Sequence, residues 1–214
     1  MQCGPIRYRY SGKKATADSS FNHVVRVRPT GFQNAPENDQ APLYEIYQSL
    51  FTDEPRNELI CKDILESLKS NWSPLLLTER TEYLHIIADL LADKVKNIVI
   101  LKGGISKKQK DKVDEQLKNI GKDEERIILA TGRYIGEGFD DARLDTLFLA
   151  LPISWKGTIQ QYARRLHRQY DGKKEVRIYD YLDESVSMLV RMYKKRLLGY
   201  KSIGYEIIEP VNSA

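Results

Sequence analysis

From residue 43 onward, apolar stretches of two kinds alternate along the chain. One kind is short and dense: Pro74–Thr78, Asn97–Lys102, Arg126–Ala130, Thr146–Ala150 and Val176–Asp180. Such runs predict strands covered on both faces. The other kind is spaced at three and four residues. Leu59, Ile60, Ile64, Leu65 and Leu68 predict a helix opening at Asp53-Glu-Pro55 and running to about Lys69. Val186, Leu189, Val190, Tyr193 and Leu197 predict a closing helix from Glu184 to Leu198. Further helices are predicted over 43–51, 82–93, 107–119 with Ser106 as cap, and Thr158–Gln169. Strands alternating with helices imply a three-layer α/β/α domain around a mainly parallel sheet. In such sheets ligands collect at the carboxyl ends of the strands. Those ends carry Thr78-Glu-Arg80, Lys102-Gly-Gly104, Thr131-Gly132 and Pro152-Ile-Ser-Trp155.

Residues 1–42 follow another pattern. Ile6–Tyr10 and the alternating His23–Arg28 predict short strands, separated and followed by loop-forming Gly, Pro and Asn. This stretch reads as an inter-domain connector, and 43–214 as the domain proper.

Composition adds a few bounds. The 214 residues are 41% hydrophobic and 30% charged, enough for a well-cored domain. The net charge is +4, with Lys and Arg crowded into 102–118, 164–177 and 191–201, a modest preference for anionic ligands. Cys3 and Cys61 lie in no metal-ligand spacing, and neither do His23, His85 and His167, so no metal site is expected. Apolar runs are too short to span a bilayer, which leads to the expectation of a cytoplasmic protein with no membrane partner.

The candidate chemistry lies between residues 127 and 168. An apolar strand delivers Thr131-Gly132-Arg133 and then Gly136-Glu-Gly138-Phe-Asp140, and a second strand leads to a helix bearing Gln161, Arg165 and Arg168. Arg165 and Arg168 share a helix face as i and i+3. Their planar, permanently charged forks suit a phosphate that is gaining charge. The phosphate-cradling Gly-x-x-x-x-Gly-Lys-Ser/Thr loop does not occur: Gly12-Lys13-Lys14 lacks its upstream Gly and its hydroxyl. Asp123-Glu124-Glu125 precedes a strand instead of ending one and reads as a solvated turn.

Over residues 75–182 these motifs resemble the second RecA-like domain of superfamily 2 helicases, the DEAD/DEAH-like group. Within that group they closely resemble bacterial helicases of the conflict-system and restriction-associated kind. The resemblance implies a RecA-like fold and the C-terminal half of an ATP-dependent helicase or translocase. An N-terminal RecA-like domain would hold most of the ATP and Mg2+, so the C-terminal half alone would not hydrolyse ATP. It further implies that Thr78, Arg80, Lys102, Gly103, Gly104, Thr131, Gly132 and Arg133 meet single- or double-stranded nucleic acid, DNA ahead of RNA. Gly138, Asp140 and Gln161 would serve the nucleotide, with Arg168 as arginine finger and Arg165 as a second phosphate ligand or an interface residue. One position departs from the family: Arg164 stands where a Gly is usual, and a bulky cation there is expected to displace Arg165 or add a nucleic-acid contact. A non-catalytic nucleic-acid-binding module, using Arg191, Lys194, Lys195, Arg196 and Lys201 as its face, is the alternative. Trp155 and Tyr162 could stack on a base or pack in the core.

Overall fold

The computed structural model describes residues 20–33, 41–136, 139–153 and 156–210, with 156–160 described for the backbone alone. Ile6–Tyr10, Gly138 and Trp155 lie outside these residues.

Seven strands are present among them: β1 (Asn22–Pro29), β2 (Pro74–Thr78), β3 (Ile98–Leu101), β4 (Ile127–Thr131), β5 (Thr146–Leu149), β6 (Glu175–Leu182) and β7 (Glu206–Ile208). They form one sheet in the order β3-β4-β2-β5-β6-β1-β7, and every pairing is parallel. The helices are α1 (Leu43–Thr52), α2 (Glu54–Lys69), α3 (Thr81–Leu91), α4 (Lys107–Asn119), α5 (Gly132–Gly136), α6 (Lys156–Leu166) and α7 (Ser187–Ser202). The expected α/β/α architecture is thus observed. Strand β1, read from sequence as part of the connector, lies inside the sheet between β6 and β7, so the 1–42 and 43–214 division runs through one sheet.

The alternation of side chains along each strand builds two cores. Leu76, Ile127, Leu129, Phe148 and Tyr181 face one side, where Ile60 and Ile64 of α2 and Leu84 and Ile87 of α3 pack on them. Leu75, Leu77, Ile128, Ala130, Leu147 and Ile178 face the other, beneath Ile135 of α5, Tyr162, Ala163 and Leu166 of α6, and Tyr200 of α7. Both faces of the central strands are therefore buried, which is why their sequences carry unbroken apolar runs.

Local sequence sets the helix starts. Asp53 accepts the Arg56 N–H at 2.9 Å with Pro55 in the first turn of α2. Ser106 caps α4 as expected, and with Gln109 it forms a capping box. Helix α7 begins at Ser187, three residues later than expected, and the chain before it is pinned by Asp183, which accepts from Thr30 Oγ1 at 2.7 Å and from the buried Arg56 Nε at 2.9 Å. Along α7, Val190 and Leu197 are half-buried, while Met192, Arg196, Gly199 and Tyr200 are inside.

That last observation corrects one expectation. Arg196 is 2% exposed and forks onto Asp180 with two 2.8 Å hydrogen bonds, while Tyr200 donates to the same carboxylate at 2.8 Å. It is a structural cation, and the basic face of α7 is left with Arg191, Lys194, Lys195 and Lys201. Among the described residues, no helix is long and apolar enough to cross a membrane.

Candidate functional site

Strands β2 and β4 are neighbours, with Thr78 opposite Thr131, so the turns that follow them emerge side by side. Thr78 is 2% exposed and its hydroxyl accepts the Arg80 N–H at 3.1 Å. The hydroxyl is spent on closing the turn. Arg80 is exposed, with its guanidinium 5.8 Å from the Tyr47 ring centre. Thr131 is also buried, at 6%, and accepts the Gly103 N–H at 3.0 Å. That bond ties the strand-end turn Lys102-Gly103-Gly104 to the start of α5. Arg133 completes the tie: its stem crosses Gly103, where a Cβ would stand 2.7 Å from Arg133 Cδ. Gly104 has φ +78°, the left-handed region that favours glycine. The two turns therefore act as one unit, with Lys102 half-exposed and Arg133 exposed on it.

Gly132 sits at the tightest point. A Cβ there would lie 2.0 Å from Tyr162 Oη and 2.2 Å from Glu79 Oε1. Tyr162 donates to Glu79 at 3.0 Å. Burial, and then the Glu79 carboxylate, raise the Tyr162 pKa, so the hydroxyl keeps its proton. With 4% exposure Tyr162 is a packing residue, not a base-stacking platform. Glu79, Gly132, Arg133, Gln161 and Tyr162 line a crevice of about 510 Å³ at the carboxyl ends of the strands. A second cleft, of about 520 Å³ between α4 and the corner at 139–141, is lined by Gly104, Tyr134, Phe139 and Asp140 among others.

Helix α6 starts beyond the carboxyl end of β5 and runs back toward the start of β6. The helix ends at Leu166, short of the expected Gln169, so Arg168 lies in the turn that follows and does not share a helix face with Arg165. There it meets Asp140: Nε donates to Oδ1 at 3.1 Å and the second fork arm reaches Oδ2 at 2.8 Å. Both side chains are solvent-accessible, Arg168 at 59% and Asp140 at 43%. Arg165 is half-buried and makes no ion pair among the described residues. Arg164 is exposed, and α6 passes through it unbroken. The sequence-selected residues thus form two sets: the Thr131–Arg133 and Lys102–Gly104 turns with Gln161, and the Asp140–Arg168 pair. Among the described residues no three His, Cys, Asp or Glu side chains converge as a metal site.

Three contributors escaped the sequence reading. Glu79 lies in a quoted strand end, but its bond to Tyr162 spans 83 positions. The Arg126–Asp141 ion pair sits beside Asp140, with burial lowering the Arg126 pKa before Asp141 partly restores it. Lys173 belongs to a charged run that carries no motif.

Known proteins place this geometry. Phage T4 UvsW superposes with a TM-score of 0.67 at 14% identity, covering 89% of this chain and 41% of UvsW. The C-terminal domain of the DEAD-box protein Dbp5 superposes at 0.58 with 11% identity, covering 89% of this chain and 90% of that domain. The fold is the RecA-like α/β fold of these domains. The S. cerevisiae Dbp5 bound to RNA and ADP BeF3 gives 0.61 at 11% identity, covering 94% of this chain and 44% of Dbp5. In sequence, a variola virus transcript termination protein is 29% identical over 130 residues, 59% of this chain. The matched stretch spans only 26% of that viral protein. No protein-family model matches the chain.

Proposed function

We propose that this chain is the C-terminal motor domain of an ATP-dependent nucleic-acid helicase or translocase. The observation that carries the reading is the fork of Arg168 on Asp140. Two side chains that the motifs assign to one nucleotide, 28 positions apart in sequence, occupy one place in the fold. The carboxylate takes the geometry in which a guanidinium also grips a phosphate. A pair this exposed is held by no more than about 1 kcal/mol, so a phosphate can replace it. Dbp5 bound to RNA and ADP BeF3 supports both ligand classes for this fold. The likeness to conflict-system and restriction-associated helicases rests on the motif sequences alone.

In this account the nucleotide and its Mg2+ lie mainly on an N-terminal RecA-like domain of the same protein. The chemistry ATP supplies when bound is cleavage of its terminal phosphoanhydride. Arg168 leaves Asp140 for the terminal phosphate, with Arg165 as second phosphate ligand. Asp140 is thereby freed for the ribose, and Gly138 and Gln161 are the other residues the motifs assign to the nucleotide. Strand contacts fall to the joined turns. Lys102, Arg80 and Arg133 supply charge, and the close-packed glycines let a phosphodiester approach the backbone. The buried Thr78 and Thr131 hydroxyls serve by fixing those turns.

The test is ATP turnover by the full-length protein with single-stranded DNA or RNA. Arg168→Ala is expected to lower kcat about a thousandfold or more. Unchanged turnover in that variant removes the finger from Arg168. No turnover in the unaltered protein leaves the binding-module reading.

A further inference from the structure

Lys173 is half-buried, and its ammonium lies within hydrogen-bond distance of four backbone carbonyls. It donates to Ala142 O at 2.9 Å, Leu144 O at 2.8 Å, Leu166 O at 3.0 Å and Arg168 O at 2.7 Å. An ammonium has three protons, so it is saturated by these acceptors and has nothing left for a substrate. The identity of the four is informative. Two belong to the chain just after Asp140, one to the last residue of α6 and one to Arg168 in the turn that follows it. The positive charge also sits where the C-terminal carbonyls of α6 make the helix end negative.

From this geometry we propose that Lys173 is the positioning residue for Arg168, clamping the segment that carries Arg168 against the segment that carries Asp140. The Arg168–Asp140 pair is too exposed to fix its own geometry. Without the ammonium, four carbonyl oxygens would point at one another with no donor between them. The segments then part, and the guanidinium loses its aim. Other contacts brace the clamp. The Lys173 ammonium lies 5.6 Å from the Phe21 ring centre, and His167, between the two clamped carbonyls, is bonded to Tyr205 Oη at 2.8 Å. Gly172, with φ +83°, makes the turn that brings Lys173 back under α6.

The role of Lys173 in turnover rests on the motor reading; its role in placing Arg168 does not. The experiment separates them. In the 214-residue chain, the Arg168 Nε–H NMR resonance is first assigned by its shift in Asp140→Asn. Lys173→Met is expected to move that resonance to the same unpaired position, with amide signals of the distant sheet strands unchanged. An Arg168 resonance that stays at its original position in Lys173→Met overturns the proposal. Should Lys173→Met not fold, Lys173→Ala in methylammonium carries the test, because the small cation can occupy the vacated cage. Return of the paired resonance supports the clamp, and failure to return refutes it. In the full-length protein, Lys173→Met is expected to lower kcat at least tenfold with KM for ATP little changed. A moved resonance with turnover unchanged in both Lys173→Met and Arg168→Ala keeps the clamp and removes the finger role from Arg168, and a moved resonance with no turnover in the unaltered protein keeps the clamp and rejects the motor reading.

Discussion

Replacing Gly132 by Ala tests how tightly the strand-end turn is joined to the arginine-bearing helix. The added methyl would sit 2.0 Å from Tyr162 Oη and 2.2 Å from Glu79 Oε1. Those contacts are not equivalent. Glu79 is exposed and can swing into water, at the cost of its 3.0 Å bond from Tyr162. Tyr162 is 4% exposed, with its ring locked among apolar neighbours, so it cannot follow. Overpacking at such a point costs about 1–3 kcal/mol, and an unpaired buried hydroxyl about 1–3 kcal/mol more. We therefore expect Gly132→Ala to lose about 3 kcal/mol of stability. Tyr162→Phe alone is expected to lose about 1 kcal/mol, since one hydrogen bond goes without a clash. The double variant carries the argument. Removing the hydroxyl also removes the 2.0 Å contact, so Gly132→Ala combined with Tyr162→Phe is expected to cost at least about 1 kcal/mol less than the sum of the two. Urea unfolding of the four proteins, with a common slope, measures this. Additivity within about 0.5 kcal/mol would refute the claim that Gly132 is required by Tyr162.

Other perturbations probe the frame around the site. Arg196→Met leaves Asp180 buried without its fork and is expected to cost about 3–5 kcal/mol in urea unfolding; a loss below about 1 kcal/mol would return Arg196 to the surface. Burial pushes His23 and His167 down to about 4. Their folded pKa values lie below the unfolded 6.5, so stability is full above that value and falls between pH 6.5 and 4, by at most about 1.4 kcal/mol per unit for each ring and by less for the half-buried His167. Asp145, pushed up to about 6 by burial, acts in the opposite sense because its folded state takes up a proton first. Asp145→Asn is therefore expected to steepen the acid loss between pH 6 and 4, and an unchanged slope in a pH series of melting temperatures contradicts this. Lys102→Ala and Arg133→Ala are each expected to weaken single-strand binding and to reduce the slope of log affinity against log salt by about 0.7. Loss of affinity with an unaltered slope would deny them phosphate contacts.

The sheet was readable because burial on both faces forces runs such as Pro74–Thr78, and no other common arrangement demands them. Ser106 and Asp53 announced their helices because capping is a local matter of one side chain and its own backbone. The strand His23–Arg28 was recognised, but its place between β6 and β7 was not. Which strand pairs with which depends on contacts more than a hundred positions apart. Arg196 was misread for a related reason. In sequence it is one more cation in a basic helix, and only the fold brings Asp180 and Tyr200 beneath it. At the site, Arg168 and Asp140 stood out through motif spacing. Lys173 acts on backbone carbonyls, which every residue has, so no sequence pattern marks its partners. Glu79 and Tyr162 meet through the sheet and leave no spacing to read.

The proposed motor role is tested most directly by displacement of one strand from a partial duplex by the full-length protein. With ATP, the unaltered protein is expected to release the strand. Arg168→Ala is expected to bind the duplex equally well and release nothing. Displacement that proceeds without ATP, or that survives Arg168→Ala at an unchanged rate, would contradict the account.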